Sequence, residues 1–251
     1  MPKVIIDGKE IEVAAGTTVI RAAEQAGIDI PHFCWHPGLP VDGNCRMCLV
    51  QVEKSPKPVI ACAAVCQDGM AVHTNTDEVK TMRKGVMEFL LVNHPLDCPV
   101  CDCAGECDLQ ENYFKHDGVN SRFAEPKVHK PKVQDLGPNI VLDQERCILC
   151  SRCVRFTDEV SKTHELGIFG RGAEAILDVV PGKKLDNNYS TNTVDLCPVG
   201  ALTDKRFRFK SRVWFLKRAE SVCPGCSRGC NIFIDYNLAP INKVGHQRIY
   251  R

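Results

Sequence analysis

The sequence predicts an α+β fold built from consecutive small units, each gathered round its own cysteines. Three observations lead there. Short strand-like runs and short amphipathic helices alternate without any long regular period. Sixteen cysteines stand among 251 residues, far more than ordinary core packing uses. These cysteines fall into four groups that contain five Cys-x-x-Cys pairs: Cys45/Cys48, Cys98/Cys101, Cys147/Cys150, Cys150/Cys153 and Cys223/Cys226. A disulfide scaffold would account for the number, but such scaffolds are small and carry a signal peptide. Cys-x-x-Cys spacing lets two thiolates converge on one metal centre while nearby N–H groups face the sulfurs, so metal is the reading.

Composition narrows the function classes. Lys and Arg number 32 against 31 Asp and Glu, so no bulk field argues for nucleic acid or an anionic membrane. The longest apolar runs resemble Val59–Cys66 and fall well short of the ~20 residues of a membrane span. Lys3–Ile6 breaks at Asp7-Gly8 before a signal-peptide core could form. The expectation is a soluble cytoplasmic chain.

The first unit is expected over residues 1–77. Lys3–Ile6 and Glu10–Val13 read as a hairpin turned at Asp7-Gly8. Thr18 then offers an N-cap to a helix over Val19–Gln25, which Gly27 closes. Cys34, Cys45, Cys48 and Cys62 follow in the pattern Cys-x10-Cys-x2-Cys-x13-Cys. Hairpin, helix and cysteine loop in that order resemble a plant-type [2Fe–2S] ferredoxin (a β-grasp), although the first interval is longer than the plant-type Cys-x4-Cys. Gly43 and Asn44 suit a tight loop whose amides approach sulfur. A zinc loop with four cysteine ligands is the competing reading.

Residues 78–117 form the second unit. Thr76-Asp77-Glu78 reads as a helix start, and Val79, Met82, Val86, Phe89 and Leu90 recur at helical spacing, as core packing. The helix is expected to stop at Asn93-His94-Pro95. Then comes His94-x3-Cys98-x2-Cys101-x5-Cys107, four candidate ligands in a short loop. Cys103 lies too close to Cys101 to take a place in the set. One histidine with three cysteines suits zinc as well as iron.

The third unit, residues 118–215, is the most specific. Bacterial-type ferredoxins carry Cys-x2-Cys-x2-Cys-x3-Cys-Pro twice, and the last cysteine of each run serves the other cluster. Cys147, Cys150 and Cys153 give one triplet, and Cys197-Pro198 is the tail of a second run. Thr157, Asn187, Ser190 and Thr193 occupy the remaining cysteine positions. All four ligands of one cluster are gone and all four of the other remain. This predicts a ferredoxin-like domain with one of its two [4Fe–4S] clusters deleted.

In the fourth unit, residues 216–251, Cys223, Cys226 and Cys230 precede a strand over Asn231–Tyr236, and no cysteine follows. The site lacks a fourth ligand, so a third [4Fe–4S] cluster is not expected to be complete within these residues. The chain is accordingly expected to be the N-terminal part of a longer polypeptide.

The stretches Asn93–Cys101, Glu145–Cys150, Phe169–Gly172 and Val194–Leu202 resemble the large iron–sulfur subunit of bacterial respiratory complex I, NADH:quinone oxidoreductase. The likeness runs through the chain in order. It implies [2Fe–2S] on Cys34, Cys45, Cys48 and Cys62, which leaves Cys66 a bystander. It implies [4Fe–4S] on His94, Cys98, Cys101 and Cys107, and another on Cys147, Cys150, Cys153 and Cys197. The fourth unit resembles the opening of a molybdopterin-oxidoreductase-like domain. The implied partners are the flavin and NADH-binding subunit and the quinone-side iron–sulfur subunits of a peripheral arm on the cytoplasmic side of the membrane. Contact with the membrane is then through the complex alone.

No G-x-G-x-x-G follows a strand, and Gly167, Gly170 and Gly172 have the wrong order. No nucleophile–base constellation stands out either, so the expected role is conduction of single electrons without a substrate site. Two alternatives are the diaphorase iron–sulfur subunit of an NAD-linked hydrogenase or formate dehydrogenase, and a zinc-stabilised interaction protein.

Overall fold

The computed structural model describes residues 1–116, 118 and 121–237, with the backbone of 248–249. The first unit opens with β1 (Lys3–Ile6) and β2 (Lys9–Glu12), paired antiparallel with Ile6 opposite Lys9. The two-residue loop Asp7-Gly8 has positive φ at both positions, 46° and 82°, the conformation a tight hairpin requires. This pairing starts β2 at Lys9, one residue before the expected Glu10.

Helix α1 (Val19–Gln25) lies where it was expected, but Thr18 makes no side-chain cap. The carbonyls of Ala64 and Ala61 instead accept the Val19 and Ile20 amides at 2.8 and 3.0 Å. The helix start is therefore satisfied by the segment that carries Cys62. Strands β3 (Leu49–Val52), β4 (Val59–Ile60) and β5 (Met70–His73) complete a five-stranded sheet of order β2-β1-β5-β3-β4. β1 and β5 run parallel and the other pairs antiparallel. Val4, Ile6, Val19, Ile20, Val50 and Val72 form the core under α1, together with Cys48, Cys62 and Cys66.

Helix α2 (Asp77–Leu91) is capped by Thr76, whose hydroxyl accepts the Val79 amide at 3.3 Å. Its buried line is Val79, Arg83 and Met87, with Val86 and Leu90 partly covered. Met82 and Phe89, expected in the core, are exposed, Phe89 at 79%. At 3.6 residues per turn both lie roughly 100° or more round the helix from Arg83, outside the face that meets the sheet. A 3₁₀ turn at Cys98–Val100 leads into α3 (Asp108–His116).

The third unit places β10 (Leu202–Asp204), β7 (Ile140–Leu142) and β6 (Gln134–Asp135) in one sheet. It adds α4 (Arg152–Glu159), the hairpin β8 (Leu166–Phe169) with β9 (Ile176–Val179), and α5 (Asn192–Leu196). Its core holds Leu136, Ile140, Leu142, Leu185 and Leu202, and also Phe33, Met47, Met87 and Leu109 from the first two units. One apolar cluster therefore locks three stretches of sequence together.

The positions without cysteine are polar interior. Thr157 and Thr193 are fully buried, and the Thr193 hydroxyl donates to the Ser190 carbonyl at 2.6 Å. The Asn187 side chain donates to Glu165. In the last unit β11 (Lys217–Val222), β12 (Asn231–Asn237) and β13 (Arg248–Ile249) form a meander. Residues 238–247 and 250–251 of that unit lie outside those described.

Candidate metal centres

The first donor set sits where the loop after α1 returns to β3. Cys34, Cys48 and Cys62 are buried and Cys45 half-buried. The Cys34 amide points at the Cys45 sulfur at 3.4 Å, and the amides of Phe33 and Met47 also face it. The Gly43 amide faces the Cys34 sulfur. Gly43 has φ +74°, and a Cβ there would come 2.9 Å from Ile60 Cδ1, so the loop needs glycine at this point. The thiols pair, Cys34 with Cys45 and Cys48 with Cys62. The hydrogen bond from Cys34, followed by the amides, pulls Cys45 down to about 6, while Cys34 is pushed up by the same sharing of a proton. Thiolate is the form that binds metal. Cys66 lies in the apolar core with only burial raising its pKa.

His94, Cys98, Cys101 and Cys107 line one cavity, with Arg146 and Gly200. Burial, followed by the Lys127 and Arg146 charges, lowers the His94 pKa to about 4, which keeps the imidazole neutral. Its Nδ1 is buried and has no hydrogen-bond partner. A buried nitrogen of a neutral imidazole without a hydrogen-bond partner, in a residue that lines the cavity of Cys98, Cys101 and Cys107, fits a metal ligand. Cys103 does not line this cavity; its thiol instead pairs with the Cys107 sulfur.

Cys147, Cys150, Cys153 and Cys197 line a second cavity, walled by Ile148, Leu177, Val199 and Leu202. Leu149 and Ser151 adopt positive φ, 53° and 60°, which turns the loop round the site and brings the Leu149 amide to 3.4 Å from the Cys147 sulfur. Amides of Val199, Ala201 and Leu202 face Cys197. Burial pushes Cys147 and Cys150 up to about 12, so these thiols ionise readily only against a bound cation. Among the described residues no three His, Cys, Asp or Glu side chains come close enough together for a single ion. The His94 and Cys147 sets instead each line a cavity. Cys223, Cys226 and Cys230 occupy the β11–β12 loop, half-buried, exposed and exposed, with the Cys223 amide bonded to the Cys230 carbonyl at 2.8 Å.

The spatial order of the sites departs from their order in sequence. Arg155 donates to the carbonyls of Cys34, Pro40 and Cys150, and Arg152 to those of Trp35 and Leu196. Asn44 reaches the Leu149 carbonyl at 3.1 Å. These contacts join the first set to the Cys147 set. On the other side, Gly200 lines the His94 cavity three residues after Cys197. Arg146, next to Cys147, also lines that cavity and holds Asp97 at 3.0 Å and Asp143 at 3.2 Å. The Cys147 set is therefore the middle one. Sequence spacing did not mark Arg83, Arg146, Arg152, Arg155 or Gly200. For Arg146, Arg152 and Arg155, nearness to the triplet was the one available signal.

Fold and donor sets together define an iron–sulfur protein made of ferredoxin-like modules. Three family models match in order: a 2Fe-2S iron-sulfur cluster binding domain over 3–77, the NADH-ubiquinone oxidoreductase-G iron-sulfur binding region over 83–122, and the ferredoxin-like domain of NADH-quinone oxidoreductase subunit 3 over 137–203. The chain is 47% identical to the G subunit of NADH-quinone oxidoreductase from Rickettsia typhi, over 97% of this chain and 36% of that protein. It is 49% identical to the mitochondrial 78 kDa NADH-ubiquinone oxidoreductase subunit of Neurospora crassa, over 92% of this chain and 31% of that one. Among solved structures it matches a chain of an NAD+-reducing [NiFe]-hydrogenase in the H2-reduced state, with TM-score 0.76 and 30% identity, over 84% of this chain and 91% of that one. The chain belongs to the family of the NADH-quinone oxidoreductase G subunits and their mitochondrial counterparts. It spans about a third of the length of these curated relatives. No helix among the described residues is long and apolar enough to cross a membrane.

Proposed function

We propose that this chain holds a [2Fe–2S] cluster on Cys34, Cys45, Cys48 and Cys62, and [4Fe–4S] clusters on His94/Cys98/Cys101/Cys107 and on Cys147/Cys150/Cys153/Cys197. With these it relays single electrons within an NADH:quinone oxidoreductase. One-electron chemistry is what such clusters supply when bound; the chain's own residues hold, space and tune them. The observation that carries the reading is the middle position of the Cys147 set. Arg155 ties it to the first set, and Gly200 and Arg146 tie it to the His94 set. A row of donor sets joined by shared backbone contacts is a conducting arrangement. Amides aimed at Cys34, Cys45, Cys147 and Cys197 stabilise added negative charge on sulfur, and buried walls keep water from it. Neutral His94 leaves its set with one less anionic ligand.

The units are 1–77, 78–117, 118–215 and 216–251, the last of molybdopterin-oxidoreductase-like type. The partners are the flavin/NADH-binding subunit and the quinone-side iron–sulfur subunits, in a peripheral arm on the cytoplasmic face of the membrane. The hydrogenase likeness supports a second reading, a diaphorase subunit. Its 30% identity, against 47% to the Rickettsia typhi protein, makes it the lesser one. Metal analysis and electron paramagnetic resonance (EPR) of the native protein test the proposal. About ten iron atoms per chain are expected from these cluster types. Stoichiometric zinc with little iron refutes it, and co-purifying hydrogenase subunits select the second reading.

A further inference from the structure

Arg83 lies on the buried face of α2, 3% exposed, between Val79 and Met87, which are both fully buried. Among the described residues its guanidinium makes one hydrogen bond, from Nη2 to the Leu49 carbonyl at 2.8 Å. Its Nε is buried with no hydrogen-bond partner. Among the described residues no carboxylate forms an ion pair with it. Asp7, the stronger of the two carboxylates that act on it, is engaged by the amide and hydroxyl of Thr74. Arginine stays charged in proteins, and a buried cation with no anion beside it is strongly unfavourable. Such a residue is tolerated only if an anion arrives from elsewhere.

The place where that anion arrives is in the structure. Leu49 directly follows Cys48, and of the charges that act on Arg83 the Cys48 sulfur is the strongest attractive one. In a [2Fe–2S] centre four thiolates and two sulfides outweigh two ferric irons, so the group is a net anion, and more so once reduced. We propose that Arg83 is the counter-cation of the first cluster, a positioning residue that favours its reduced form and couples α2 to its loading. The inference rests on the reading that Cys34, Cys45, Cys48 and Cys62 hold this cluster. A fixed positive charge in a dry site acts through a low dielectric and is little screened by salt. It therefore makes the addition of an electron more favourable than it is without it.

The test is an EPR-monitored redox titration of the purified iron-loaded protein and of Arg83→Met and Arg83→Lys. In Arg83→Met the [2Fe–2S] midpoint moves to more negative potential, while both [4Fe–4S] midpoints stay in place as internal references. In Arg83→Lys, which keeps the charge, the shift is smaller. An unshifted [2Fe–2S] midpoint in Arg83→Met overturns the proposal. If Arg83→Met does not retain the cluster, Arg83→Lys decides. Retention with a near-native midpoint supports the charge, and equal loss shows that shape alone is required and overturns it. Absence of a [2Fe–2S] signal in the unsubstituted protein overturns the ligand reading instead, so the two failures are distinct.

Discussion

Replacing Gly200 with alanine adds one methyl group, and its consequence can be worked out from the structure. The backbone at Gly200 is a conformation alanine adopts without strain, so the change acts through the Cβ alone. That Cβ would lie well under 3.0 Å from the Cys101 sulfur, and 3.0 Å from Cys103 Cβ. Ordinary contact begins at 3.4 Å, so either the sulfur or the turn after Cys197 has to move by more than about 0.4 Å. Metal sites tolerate roughly ±0.2 Å in ligand distance, and overpacking of this kind costs about 1–3 kcal/mol. The His94 set should therefore lose its cluster while the Cys147 set keeps its own. Iron should fall from about ten to about six atoms per chain, with one [4Fe–4S] signal missing from the EPR spectrum. Gly85→Ala, in mid-α2 with nothing within 4 Å of the added carbon, is the control. It should retain all iron and gain about 0.5–1 kcal/mol of stability. A Gly200→Ala protein with full iron and both [4Fe–4S] signals would refute the reasoning.

His94→Cys, if loaded, should lower the midpoint potential of that cluster by on the order of 100 mV, because a thiolate replaces a neutral imidazole; no change in a redox titration would remove His94 from the ligand set. Cys66→Ser should keep its iron yet lose about 1–3 kcal/mol of stability, since it places a hydroxyl in the core occupied by Cys66; loss of the [2Fe–2S] spectrum would make Cys66 a ligand. Cys103→Ser should leave iron content and spectra unchanged, because the Cys103 thiol lies outside the His94 cavity. Phe33→Ala, at a fully buried side chain of the shared core next to Cys34, should cost about 3–5 kcal/mol and lower the temperature at which visible absorbance bleaches; a bleaching temperature equal to that of the unsubstituted protein would show that the first unit is not held by this core.

The amino-acid sequence by itself determined what is local. The Asp7-Gly8 hairpin, α1, the Thr76 cap of α2 and the strand after Cys230 follow from turn chemistry, capping and periodicity that act within a few residues. Cys147, Cys150 and Cys153 were legible as a set because Cys-x2-Cys-x2-Cys forces them onto one loop. Thr157, Asn187, Ser190 and Thr193 were legible as the non-cysteine positions of a second run, and the structure places Thr157, Ser190 and Thr193 in the interior. Only the tertiary structure decided which units adjoin. The core that seats Phe33, Met47, Met87 and Leu109 against Ile140 and Leu202 is made of contacts distant in sequence, which no local period encodes. That packing put the Cys147 set in the middle and left the His94 Nδ1 buried without a hydrogen-bond partner in a residue that lines one cavity with Cys98, Cys101 and Cys107. It also brought Gly200 against Cys101 and turned Phe89 out to solvent while burying Arg83. Ligand spacing sets geometry within a loop, whereas the distance and charge between loops are set by how the loops pack.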